Sequence, residues 1–236
     1  MLIKNVYKRI KSPIKQIRRS VFEFIGVAKY SHPALNNLDL KLEKYFNYKI
    51  GFFIEVGAND GFSYSNTYYF EKIRGWHGIL VEAIPELFKK CCKLRKKSRV
   101  FNCALVSSDF TETHVKMKYA NVMSIVEGSM ADAEKETKHI ENGLQCQKID
   151  KTYTIDVPAR TLTSILDECK VKKIDLFSLD VEGYELNVLK GLDFERYRPK
   201  YMCIEARFRK EVEEFIKPYY EVIDELTELD VLYKAK

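Results

Sequence analysis

No stretch of this 236-residue chain is apolar for long enough to span a bilayer, which takes about 20 consecutive apolar residues. A cysteine framework is also missing. The six cysteines, Cys91, Cys92, Cys103, Cys146, Cys169 and Cys203, form no CxxC pair, and none of the four histidines stands at zinc-finger spacing from them. This pattern argues against a structural zinc site and against a disulfide-stapled secreted domain, and it points to a reducing, cytoplasmic compartment. The basic start of the chain has neither an unbroken apolar stretch nor a small-residue cleavage site, so it does not read as a signal peptide. Neither GxGxxG nor GxxxxGK[ST] occurs, which disfavours a pyrophosphate-cradling loop and puts a nucleotide-dependent oxidoreductase far down the order. There is no internal repeat and no low-complexity tract.

The residues present suffice for one sizeable core: 46% are hydrophobic and 13% aromatic. The net charge of +6 is modest but unevenly placed. Residues 1–20 hold Lys4, Lys8, Arg9, Lys11, Lys15, Arg18 and Arg19 and no acidic side chain. Ile3, Tyr7, Ile10, Ile14, Ile17 and Val21 recur there at helical spacing, and Pro13 should kink or split the helix. A basic amphipathic helix suits an anionic membrane surface, so peripheral contact through residues 1–25 is expected. The alternative is an accessory helix that packs its Ile face on the domain. No nucleic-acid motif accompanies the charge, and no such partner is expected.

From residue 49 on, the pattern becomes regular, so the chain divides into a basic helical segment (1–48) and an α/β domain (49–236). Strands are expected at 52–56, 79–81, 99–105, 153–157, 174–179, 201–204 and 220–224. Helices are expected from Pro85 to about Arg95, after a Thr161 cap, at 185–190 and at 209–216. The polar stretch 107–152 reads as an insertion with a hairpin and a short helix, suited to a lid or substrate wall. Strands alternating with helices imply parallel βαβ units with helices on both faces, and such sheets bind ligands outside the carboxyl ends of their strands. The notable residues fall there: Glu55 to Gly61, Glu82, Asp180 to Gly183, and Glu205.

The first of these turns runs Gly57-Ala58-Asn59-Asp60-Gly61, with Glu55 before it. It is acidic rather than phosphate-binding and suits a cationic ligand; S-adenosylmethionine (SAM) carries a sulfonium and an ammonium. Ser65, Asn66 or Thr67 can cap the helix that follows. Glu82 is placed to accept hydrogen bonds from a ribose diol.

Three stretches, FIEVGANDGFSYSNTYYFE, GWHGILVEAIPELF and IDLFSLDVEGYELNVLKGL, occur in an order that resembles the FkbM-type SAM-dependent methyltransferases over roughly residues 50–206. The resemblance implies a Rossmann-like fold, SAM as methyl donor, the loop from Glu55 to Gly61 with Ser65, Asn66 and Thr67 as its first binding element, and Glu82 with Ala83 at the ribose. It places Asp180 at the active site. Ala83 stands where the family usually has proline, and the 107–152 insertion has no clear counterpart in it.

Methyl transfer to a hydroxyl needs alignment and a proton acceptor. Asp180 is the first candidate base, Glu182 the second and His77 the third. Asp180, Glu182 and Glu205 could gather to hold Mg²⁺. Tyr64, Tyr68, Tyr69 and Trp76 read mainly as core. The expected activity is O-methylation of a glycan, a glycolipid or a secondary metabolite, the acceptor class resting on the resemblance. The alternatives are an N- or protein-directed methyltransferase and a non-catalytic SAM-binding or membrane-adaptor module.

Overall fold

A computed structural model of the chain describes residues 13–130, 132–147 and 151–236. Residues 1–12, with the helical periodicity expected of Ile3, Tyr7 and Ile10, lie outside the described residues. Helix α1 (Pro13–Phe24) begins at the proline, a residue compatible with the first helical position because its missing N–H has no partner there anyway. A left-handed turn at Asn36 and Asn37 leads into α2 (Leu38–Glu43).

Strand β1 (Phe52–Val56) follows, then α3 (Tyr68–Lys72), β2 (His77–Val81), α4 (Pro85–Leu94) and β3 (Arg99–Phe101). The expected strand 99–105 is broken at Asn102. Its second half, β4 (Ala104–Leu105), joins a separate small sheet with β5 (His114–Lys118), β6 (Ile125–Val126) and β7 (Thr154–Arg160) in the order β4-β7-β5-β6. Helix α5 (Ala133–Gln147) lies between β6 and β7 in the chain. The insertion is therefore a hairpin and a 15-residue helix, and its hairpin pairs with β7, which with β4 comes from the flanking sequence.

The chain returns through α6 (Leu162–Cys169), capped as expected by the Thr161 hydroxyl accepting from Ser164 N at 3.1 Å. It continues as β8 (Leu176–Leu179), α7 (Glu185–Lys190), β9 (Tyr201–Glu205), α8 (Arg209–Ile216), β10 (Tyr220–Glu225) and β11 (Asp230–Ala235). Strand β11 was not expected. It inserts antiparallel between β9 and β10 and buries Val231, Leu232 and Tyr233.

The main sheet has the order β10-β11-β9-β8-β1-β2-β3, and β3, β2, β1, β8 and β9 run parallel. Successive side chains of its strands point to opposite faces. Ile54, Val56, Phe177 and Leu179 pack with Ile165, Leu166, Val188 and Val212 of α6, α7 and α8. Phe53, Leu80 and Leu176 pack with Leu38, Leu42, Phe46, Phe70 and Trp76 on the other side. Covering on both faces explains the continuous apolar runs. The chain winds outward from β1 through β2 to β3, then resumes at β8 on the other side of β1. That reversal places a ligand crevice at the carboxyl ends of β1 and β8.

Helix α1 departs from the accessory-helix alternative. Ile14, Ile17, Val21 and Phe24 are 76%, 66%, 54% and 92% exposed, so the apolar face points outward. No helix among the described residues is long and apolar enough to cross a membrane.

Candidate active site

The loop after β1 is held from beneath by Glu55. Its carboxylate accepts from Ser65 Oγ (2.9 Å), Asn66 N (2.8 Å), Thr67 Oγ1 (2.6 Å) and Arg95 Nη1 (3.2 Å). Glu55 is thus committed to protein donors, and its part in the site is to fix the loop rather than to meet a cation itself. Ser65 and Thr67 are turned toward this carboxylate and toward Arg95, so they too shape the loop from below. Ser65 Oγ also accepts from Tyr68 N, at the first residue of α3, at 3.0 Å. Asn66 donates to Ser178 Oγ of β8 at 3.1 Å, while its buried Oδ1 has no partner in the structure.

Gly57 and Gly61 have φ of 84° and 80°, the left-handed region. A Cβ on Gly57 would lie 1.9 Å from the Asp180 carbonyl oxygen, and one on Gly61 would press on Arg95 and Cys91. Both glycines are therefore required by neighbouring protein, a more specific reason than ligand approach. Ala58 is buried in the core. Asp60 closes an Asx turn, accepting from Phe62 N (3.0 Å) and Ser63 N (2.7 Å).

Glu82 stands at the end of β2, nearly buried. Its Oε2 accepts from Asn59 N (2.6 Å) and its Oε1 from Ile84 N (2.8 Å), so the β1 loop and the β2 turn are joined through one carboxylate. Each oxygen keeps a second lone pair for a ligand hydroxyl. Burial pushes the Glu82 pKa up to about 7, with the backbone N–H groups of Ile84, Asn59 and Ala83 opposing the rise. Asn102, at the break between β3 and β4, donates to the Glu82 and Ala83 carbonyls (2.9 and 2.8 Å) and holds this turn in place.

At the ends of β8 and β9, Asp180, Glu182 and Glu205 come together with carboxylate oxygens within 4.8 Å of one another. Asp180 is solvent-accessible at the end of β8, with protein packed around it. This crowding and the facing Glu205, Glu182 and Glu185 carboxylates raise its pKa well above the aspartate range. Glu182 is buried, with φ 56°, and burial pushes it up to about 8 against the opposing charge of Arg207. Arg207 Nη2 donates to Glu182 and, at 3.3 Å, to Glu205. The cluster therefore carries its own cation. A divalent ion would have to displace the guanidinium, so the expected Mg²⁺ site is not one these residues fit.

His139 of α5 is buried with Nε2 3.5 Å from Glu182 Oε2, and burial and Arg207 lower its pKa. Tyr119 and Tyr153 stack at 4.7 Å, and the Tyr153 hydroxyl is 3.4 Å from Glu86 Oε2, four residues beyond Glu82. His139 of the insertion and Tyr153 just after it thus make contacts on the β8 side and the β2 side respectively.

His77 is a correction. It is the first residue of β2, paired in register with Phe52, and so lies at the amino end of the sheet, away from the carboxyl ends that bear the other candidates. It cannot serve as a base there. Tyr68, Tyr69 and Trp76 are core residues, 0–4% exposed. Arg95, Asn102, His139 and Arg207 escaped the sequence reading. Only Arg207, two residues past a strand-end glutamate, carried a usable signal.

A family model described as the methyltransferase FkbM domain matches residues 55–233. No curated protein matches the chain. Among solved structures, a TehB-like SAM-dependent methyltransferase from Corynebacterium glutamicum is similar at 10% identity, covering 94% of this chain and 96% of its own, with a TM-score of 0.41. A SAM-dependent methyltransferase from Aquifex aeolicus is similar at 12% identity, with 99% and 97% covered and a TM-score of 0.43. With the family match spanning most of the chain, and with the loop, Glu82 and Asp180 gathered at one crevice, the chain belongs to the FkbM methyltransferase family and is a SAM-dependent methyltransferase.

Proposed function

We propose that the protein is an O-methyltransferase whose acceptor is a hydroxyl of a glycan, a glycolipid or a related secondary metabolite. The observation that carries this reading is Asp180, an accessible carboxylate at the end of β8, gathered with Glu182 and Glu205. A hydroxyl nucleophile needs such a proton acceptor. The acceptor class is supported by the resemblance to the family.

The residues present fit SAM. Glu82 offers free lone pairs to a ribose diol, and the acidic surroundings favour a cation. When bound, SAM supplies an electrophilic methyl group on a sulfonium. Asp180 would take the proton of the acceptor hydroxyl during transfer, and Arg207, paired with Glu182 and Glu205, would hold a positive charge beside it. In this reading no Mg²⁺ takes part, and EDTA leaves the rate unchanged. The six free thiols fit a reducing compartment such as the cytoplasm.

The test is transfer from labelled SAM to a panel of sugars, lipid-linked sugars, phenols, amines and protein lysines, with wild type and Asp180→Asn. Transfer to hydroxyl acceptors alone, with kcat in the variant lower by about 10²–10⁴-fold and SAM affinity retained, supports the proposal. Transfer to amines, or a variant that loses SAM affinity instead, overturns it and assigns Asp180 to the cofactor.

A further inference from the structure

Helix α1 is mounted inside out. Its inward side is led by charged residues, with Phe22 packed edge-on against Tyr30. Arg19 is 8% exposed, with its guanidinium 3.7 Å from the Phe62 ring centre and 3.6 Å from Glu23. Glu23 also accepts from Ser31 Oγ at 2.9 Å. The outward face carries Ile14, Ile17, Val21 and Phe24, spaced as i, i+3, i+7 and i+10, a single stripe along the helix. Ile25 continues it at 63% exposure. An apolar stripe this exposed on a folded protein marks a contact surface.

We propose that this stripe docks the protein on an anionic lipid bilayer. Charge complementarity chooses the occupant. Residues 1–20 hold seven basic and no acidic side chains, and the exposed Arg18 borders the stripe. The acidic Glu23 is turned inward onto Ser31 and Arg19. Apolar insertion flanked by cations is the chemistry of interfacial helices on anionic lipid. The mounting point matters as well. Phe62 belongs to the loop that follows β1, so a docked α1 holds the carboxyl end of the sheet beside the bilayer. The inference does not depend on which acceptor the enzyme uses.

The experiment is sedimentation of the full chain with phosphatidylcholine vesicles, with and without phosphatidylglycerol, at low and high salt. Wild type is expected to pellet with the anionic vesicles, less so at high salt, and to stay in solution with pure phosphatidylcholine. Ile17→Asp combined with Phe24→Asp reduces partitioning by more than about tenfold, as loss of two large apolar side chains from the interface requires. Ile50→Asp, an equally exposed apolar position off the helix, leaves it unchanged. SAM binding by all variants confirms that they fold. Failure of wild type to pellet with phosphatidylglycerol overturns the proposal. So does self-association of wild type in solution that the same double variant abolishes, because the stripe then belongs to a second copy of the chain.

Discussion

Two clusters of carboxylates lie at the same end of the sheet and obey opposite rules. Under the β1 loop, Glu55 and Glu71 share Arg95, which is fully buried and directs its donors to both carboxylates, the Gly61 carbonyl and the Ser65 and Thr67 hydroxyls. Burial alone would raise Glu71, but Arg95, Ser98 and Lys72 outweigh it and hold its pKa low. Across the crevice, Asp180, Glu182 and Glu205 have one part-exposed arginine among them, and Asp180 and Glu182 are pushed up. In the first cluster a buried cation meets both carboxylates, although Glu71 Oε1 has no hydrogen-bond partner among the described residues. The second sets three carboxylates against one arginine, and burial and like charge make Asp180 and Glu182 harder to ionise. A matched cluster suits a structural role, and the unmatched one is where the proton acceptor is proposed.

The contrast can be broken at its strongest point first. Arg95→Met keeps much of the volume but strands two buried carboxylates. It should cost about 3–5 kcal/mol in urea unfolding, whereas Arg207→Ala, at a part-exposed pair, should cost about 1 kcal/mol or less. Equal losses would erase the distinction. A smaller effect comes from what Arg207→Ala does to the chemistry. Removing the local positive charge raises the Asp180 pKa further, so the base ionises only at higher pH. The acid limb of the kcat profile should move up by about one unit, and an unmoved limb would remove Arg207 from the positioning of the base. Smallest is the response of SAM affinity to pH. Glu82 gains charge as pH rises through about 7 and then accepts more strongly from a ribose diol. Affinity should therefore tighten a few-fold between pH 6 and 8 in calorimetry, and Glu82→Gln should flatten that part of the rise.

Much of the architecture was legible because parallel strands buried on both faces announce themselves as apolar runs. β1, β8 and β9 fall where expected for that reason. Glu82 and Asp180 stand at the carboxyl ends of β2 and β8, where the rule for such sheets puts candidate ligand residues. β11 was missed because its three buried residues, Val231 to Tyr233, are bounded by Asp230 and Lys234 and make too short a run to separate from a polar tail. His77 misled because a lone histidine beside a tryptophan gives no clue to which end of its strand it occupies. Arg95 and His139 were illegible for a deeper reason. Their partners, Glu55 and Glu182, lie 40 and 43 positions away in the chain, and no local pattern encodes a contact across such a distance.

The missing side chain of Gly57 has a consequence for how such an enzyme can change. Because the Asp180 carbonyl fills the space a Cβ would need, the turn after β1 and the turn after β8 interlock like two teeth. Neither can shift without moving the other, so in the proposed reaction the spacing of methyl donor and base would be set by the scaffold before any acceptor arrives. The insertion, by contrast, stands on strands that the main sheet does not use.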